Sequence, residues 1–130
     1  MNALPRVMAV DDEEAVTSII IEFFEEEGFT AKGYNEARLA LTALDNGNFV
    51  PDVILVDIMM PTMDGYEFCR RVQTNPQLMS IPVVFLTGKD REDDSLSFLE
   101  SGGHLYVKKP FNLDELKAIV LLAYKKALAF

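Results

Sequence analysis

Short apolar runs and longer stretches with apolar residues at helical spacing alternate along this chain from one end to the other, and that alternation limits the fold more than any other feature. Arg6 to Val10 is an apolar run met at once by acids. Val16, Ile19, Ile20 and Phe23 then recur at helical spacing and close on Gly28. Phe29 to Tyr34 reads as a second strand, and Asn35 as the cap of a helix carrying Ala37, Ala40, Leu41 and Leu44 that ends near Asn46-Gly47. Asp52 to Asp57 holds Val53, Ile54, Leu55 and Val56 without a polar break. An uninterrupted run of that length between Pro51 and Pro61 suits a central strand buried on both faces. A helix with Phe68, Cys69 and Val72 stops at Asn75-Pro76, and Ile81 to Thr87 is the fourth strand. Asp90 opens a polar helix with Leu96 and Leu99 that ends at Gly102-Gly103, and Leu105 to Val107 is a short fifth strand. Asn112 and Glu115 form a capping box for a last helix with Leu116, Ile119, Val120, Ala123 and Ala127. Each right-handed crossover between parallel strands lays a helix on one sheet face, so the pattern predicts an α/β (βα)5 fold: a doubly wound parallel five-stranded sheet in a three-layer sandwich.

The 130 residues suit one domain, with 49% hydrophobic and 25% charged residues, a globular composition. No repeat, low-complexity tract or flexible linker divides them, so residues 1–130 are expected to form a single domain with a core at about 6–127. A fragment of a longer protein is the alternative. Apolar stretches fall well short of the roughly 20 residues that span a bilayer, and nothing in Met1 to Arg6 marks the chain for secretion. The expectation is a cytoplasmic protein without a membrane segment. The lone cysteine, Cys69, allows no intrachain disulfide and no cysteine zinc site, and reads as a core thiol. Twenty-one acids against twelve basic residues, a net charge of −9, argue against direct nucleic-acid binding.

In an open parallel sheet the functional crevice lies beyond the carboxyl ends of the strands. Asp11 and Asp12 close the first strand, Asp57 the third and Thr87 the fourth, while Lys109 follows the fifth. Solubilising acids belong on outer helix faces, where Glu25 to Glu27 and Asp93-Asp94 are expected. Three converging carboxylates instead repel one another unless a cation neutralises them, and an oxygen-rich site with few protein ligands suits magnesium, with manganese as a substitute. A carboxylate can attack phosphorus to give an acyl phosphate, and Asp57 is the best candidate nucleophile. A transferring phosphoryl group then calls for a cation and a hydroxyl donor, which Lys109 and Thr87 supply. Taken singly, each residue has a plainer account: Asp11-Asp12 a helix start, Asp57 a turn residue, Thr87 a β-branched strand end, Tyr106 a half-buried strand aromatic. Lys109 is preferred to Lys108 because strand neighbours face opposite ways.

Asp11-Asp12, Val53-Ile-Leu-Val-Asp57-Ile-Met-Met-Pro61 with Met63-Asp64-Gly65, Leu86-Thr87, and Tyr106 with Lys109-Pro110-Phe111 occur in this order. Together they closely resemble the response-regulator receiver domains of two-component signal transduction, over Arg6 to about Ala127 and similar to the single-domain chemotaxis type. The resemblance implies a flavodoxin-like strand order 2-1-3-4-5, with Asp57 as the phosphorylation site. It also implies Asp12 as a direct magnesium ligand, Asp11 as one through water, and Met59 as one through its backbone carbonyl. Thr87 and Lys109 would contact the phosphoryl group, Thr87 and Tyr106 would form the switch, and Lys109-Pro110 would be cis. The expected partners are a sensor histidine kinase or histidine phosphotransfer protein as donor, and a downstream effector protein or domain that reads the surface of the fourth helix, fifth strand and fifth helix. The protein is expected to be a signalling domain and not an enzyme, catalysing only its own phosphorylation and dephosphorylation. The unphosphorylated form is expected to be a monomer, with pairing through the fourth-helix face one outcome of activation.

A flavodoxin-like cofactor binder would need a phosphate-cradling loop after the first strand, where acids stand instead. A haloacid-dehalogenase-type hydrolase would need an acid where Met59 stands. The remaining alternative is a degenerate receiver that binds a partner without being phosphorylated. Three departures from the common receiver pattern stand out: Gly88 replaces the usual Ala, His104-Leu105 a commonly polar or acidic pair, and Lys108 an apolar residue. His104 reads as a solvated loop or strand-start residue, and Met59, Met60 and Met63 as packing.

Overall fold

In a computed structural model, described for residues 4–88 and 95–128, five strands and five helices alternate: β1 (Arg6–Val10), α1 (Glu14–Glu26), β2 (Thr30–Tyr34), α2 (Ala37–Asp45), β3 (Val53–Asp57), α3 (Gly65–Gln73), β4 (Val83–Thr87), α4 (Ser95–Ser101), β5 (Leu105–Lys108) and α5 (Leu113–Leu128). The strands form one parallel sheet in the order β2-β1-β3-β4-β5, as the sequence predicts. Among the described residues no helix is long and apolar enough to cross a membrane.

Strand periodicity sorts the core into two halves. Met8, Val10, Ile54, Val56, Val83 and Phe85 face one way, toward Ala40 and Leu44 of α2, Phe68, Cys69 and Val72 of α3, and Phe98 of α4. Their neighbours Val7, Ala9, Val53, Leu55, Val84 and Leu86 face the other way, toward Ile20 and Phe24 of α1 and Leu116, Val120 and Ala123 of α5. Every residue of β3 is buried, which explains why its sequence carries no polar break before Asp57.

Several local expectations shift. The inward stripe of α1 is Thr17, Ile20 and Phe24, while Ile19 is 55% exposed and Phe23 only partly buried. Helix α2 starts after Glu36, not on an Asn35 cap, because the Asn35 amide is drawn inward elsewhere. Strand β4 begins at Val83, after Pro82, which has no N–H to give to a ladder. In α4 the residue that reaches the core is Phe98, while Leu96 and Leu99 are exposed. The expected start of that helix at Asp90, and Asp93-Asp94, lie outside the described residues. At α5, Asn112 Oδ1 accepts the N–H groups of Asp114 and Glu115, so the expected cap is present.

Two contacts fix the end of β3 relative to α3. Asp64 caps α3 by accepting the Glu67 N–H at 2.9 Å. Gly65 donates its N–H to the Ile58 carbonyl, and a Cβ there would sit 2.6 Å from the Asp57 carbonyl oxygen, so only glycine lets helix and strand end approach this closely.

Candidate functional site

The carboxyl edge of the sheet collects the residues singled out in the sequence. Asp11 directly follows β1, Asp57 is the last residue of β3, Thr87 the last of β4, and Lys109 the first beyond β5. Asp11, Asp57 and Thr87 are almost wholly buried, whereas Asp12 is exposed at the rim. Carboxylate oxygens from Asp11, Asp12 and Asp57 lie within 4.8 Å of one another. Lys109 Nζ donates to Asp11 Oδ2 at 2.8 Å and lies 3.7 Å from Asp57 Oδ2. Lys108 is exposed, which agrees with the preference for its neighbour. The Lys109-Pro110 peptide is cis, and the Lys109 N–H donates to the Thr87 carbonyl at 2.7 Å, joining the ends of β4 and β5.

Asp57 carries the most perturbed charge among these groups. Its pKa is raised to about 6: burial is the largest cause, the neighbouring Asp11 charge and a smaller push from Asp12 act the same way, and the Lys109 ammonium and the Met59 N–H, 3.3 Å from Oδ1, pull the other way. Burial also works against the charge of Lys109, but its hydrogen bond to Asp11 and the charges of Asp11, Asp57 and Glu13 outweigh that and raise its pKa. The ammonium is therefore held charged beside a carboxylate whose own charge is penalised. A donor set made only of carboxylate oxygens, with repulsion left over after Lys109 is counted, fits a hard divalent cation.

Asn35 belongs to this site and escaped the sequence reading. Its side-chain N–H groups donate to the Asp11 carbonyl at 2.8 Å and to Thr17 Oγ1 at 2.9 Å, fastening the turn that presents Asp11 and Asp12. The signal was its place just after β2, which lies beside β1 and ends at the same edge. Asp11 Oδ1 accepts the Glu13 N–H at 2.9 Å, so both oxygens of that carboxylate are engaged. Of the three methionines expected to pack, Met60 and Met63 do lie against the core, but Met59 is 56% exposed and packs into neither core half. Cys69 is buried and its thiol pushed up to about 12 by burial, a core residue as expected.

Tyr106 on β5 is partly buried and belongs to an aromatic row. Its ring is 6.0 Å from Phe98, which is 5.8 Å from Phe85, which is 5.0 Å from Tyr66, all edge to face. The row links β5 to α4, β4 and α3. At Gly88, beside Thr87, an added Cβ would meet nothing within 4 Å among the described residues.

This arrangement can be set against known proteins. The family model described as "Response regulator receiver domain" matches residues 7–121. The chain belongs to the response-regulator receiver family. It is 36% identical over 113 residues to the transcriptional regulatory protein TcrA of Mycobacterium tuberculosis, an alignment covering 87% of this chain and 43% of that one. Among solved structures, the receiver domain of the Francisella response regulator 1452 matches with a TM-score of 0.82 and 33% identity over 95% of this chain and 98% of that one. The chemotaxis protein CheY4 of Vibrio cholerae matches with a TM-score of 0.85 and 26% identity over 93% and 99%. The chain spans about half the length of the curated relatives it matches. It is a signalling domain of the two-component class, with a receiver fold and an acidic cluster able to hold a metal ion.

Proposed function

We propose that this receiver takes a phosphoryl group onto Asp57 from the phosphohistidine of a sensor histidine kinase or a histidine phosphotransfer protein, and thereby switches its α4-β5-α5 surface for a downstream effector. The observation that carries this reading is the convergence of Asp57, Asp11, Asp12 and Lys109 at one edge of the sheet, with Lys109 Nζ reaching two carboxylates. In the step, an Asp57 carboxylate oxygen forms the O–P bond as the P–N bond of the phosphohistidine breaks. The electron pair stays on the imidazole nitrogen, which then takes a proton. With a carboxyl pKa of about 6, Asp57 is largely ionised at neutral pH and so available as the nucleophile. Lys109, whose Nζ lies 3.7 Å from Asp57 Oδ2, neutralises charge on the incoming group in this reading, and Thr87, buried at the end of β4, supplies the hydroxyl.

Magnesium, or manganese in its place, would be held by Asp12 directly, by Asp11 through water, and by Asp57 and the Met59 carbonyl, and it supplies positive charge against the phosphoryl oxygens. The chain's own catalysis is confined to its phosphorylation and dephosphorylation. Thr87 and Tyr106 form the switch: Thr87 moves toward the phosphoryl group and Tyr106 into the space this leaves, shifting the population between two packings of the β4-α4 and β5 region. The aromatic row ending at Tyr106 supports that coupling, since a change in its ring position disturbs Phe98 on α4. We further read the protein as one domain working in the cytoplasm, monomeric before phosphorylation, with no direct contact to nucleic acid.

Borohydride reduction after incubation with acetyl phosphate and magnesium tests the acceptor, since it converts an aspartyl phosphate to homoserine that peptide mapping can locate. Homoserine at position 57 alone is expected. Label at Asp11 or Asp12 would overturn the assignment, and no label would favour the degenerate, phosphorylation-independent adaptor.

A further inference from the structure

His104 does something its exposed position at the start of β5 gives no hint of. Its backbone N–H donates to the Val83 carbonyl at 2.9 Å, the first rung joining β5 to β4. Its ring then turns back, and the Val83 N–H donates to His104 Nδ1 at 3.1 Å. Val83 is fully buried, and its amide points to the side of β4 where β5 has not yet begun. The imidazole stands in for the carbonyl that a longer β5 would have offered. A backbone N–H can only donate, so Nδ1 must be unprotonated for this bond to exist, and the ring is the neutral tautomer with its proton on Nε2.

From this geometry we infer that His104 is a pH-sensitive latch: neutral, it fastens the N-terminal end of edge strand β5 to β4, and on protonation it releases the Val83 amide. An imidazolium has a donor at both nitrogens, so it faces the Val83 N–H with another N–H. The ring is exposed enough to take that proton from solvent. The hollow beside it, about 330 Å³, is lined by Met79 and Ser80 from the segment after α3, Pro82 before β4, Leu105 of β5, and Ala123, Lys126 and Ala127 of α5. Lys126 is the charged residue among these, and its ammonium offers no counter-charge to an imidazolium. On neighbouring elements Glu100 of α4 and Lys108 of β5 are exposed and do not line the hollow. Burial lowers the pKa of His104 from its ordinary 6.5, in keeping with a ring held neutral. The folded protein therefore binds this proton less well than the unfolded chain. The contribution to stability is full above about pH 6.5 and is lost as the pH falls below it.

The position matters because β5 is the edge strand, carries Tyr106, and leads into Lys109. The latch itself does not depend on the phosphoryl-transfer reading, and it is tested without phosphate. Nitrogen NMR of the wild-type protein gives the tautomer and pKa of His104, and amide exchange, corrected for intrinsic rates, gives protection at Val83 across the same pH range. The expected result is an Nε2–H tautomer, a pKa below 6.5, and Val83 protection falling by up to tenfold per pH unit below that pKa while Leu55 in β3 stays protected. In His104→Gln, whose side-chain carbonyl can accept but cannot titrate, Val83 protection should no longer follow pH. A His104 pKa at or above 6.5, an Nδ1–H tautomer, or Val83 protection flat through the titration would each overturn the latch.

Discussion

The negative charge of Asp57 is costly in this fold. Its carboxyl pKa of about 6 stands above the ordinary 3.8, so the folded protein holds that proton more tightly than the unfolded chain does. The contribution of Asp57 to stability is therefore greatest on the acid side of this window and falls as the pH rises from about 4 to about 6, by on the order of 2 to 3 kcal/mol. The neutral isostere in Asp57→Asn should recover it. Without divalent metal at pH 7, thermal or denaturant unfolding should show the variant more stable by about 2 kcal/mol, with the gain shrinking toward pH 4. Equal stability at pH 7 would mean that Lys109 already compensates the site in full. The four charged groups of this site were legible in the sequence because each sits where an apolar run stops, and such positions in a parallel sheet share one edge. Asn35 and His104 were not legible. Both act through a ring or amide bonded to the backbone of a neighbouring strand, and nothing in the spacing of their own elements records that.

For the elements, type and order followed from periodicity, but the rotation of a helix about its axis did not. In α1, Ile19, Ile20, Phe23 and Phe24 offer adjacent apolar stripes, and the sequence does not say which one faces the sheet. Packing against β1 and β2 selects Thr17, Ile20 and Phe24, with Phe24 edge to face on both Phe23 and Phe29. Truncating Phe24 to Ala should cost about 3 to 5 kcal/mol in denaturant unfolding, whereas Ile19→Ala should stay within about 0.5 kcal/mol. Comparable costs would show that the helix is rotated from this orientation. The same ambiguity explains α4, where Leu96 and Leu99 suggest the inward face but Phe98 fills it, ring against Phe85 and Tyr106. Its exposed leucines lie on the face that the proposed switch would alter.

At the scale of the molecule, the parallel sheet gathers residues that are far apart in sequence: Asp11 and Lys109 form an ion pair across almost the whole chain. This is why separated motifs, each weak alone, became specific together. The sheet also separates two ends with different chemistry. The carboxyl edge holds the carboxylates and Lys109, and the opposite edge holds the His104 latch, with β5 running between them. The central claim is that the carboxyl edge performs a magnesium-dependent transfer onto one carboxylate. Intact-protein mass after incubation with acetyl phosphate tests it most directly, run with and without magnesium on the wild type and on Asp57→Asn. The account predicts a single phosphoryl adduct on the wild type with magnesium, and none without the metal or on the variant. An adduct on Asp57→Asn, or an equal adduct without magnesium, would contradict it.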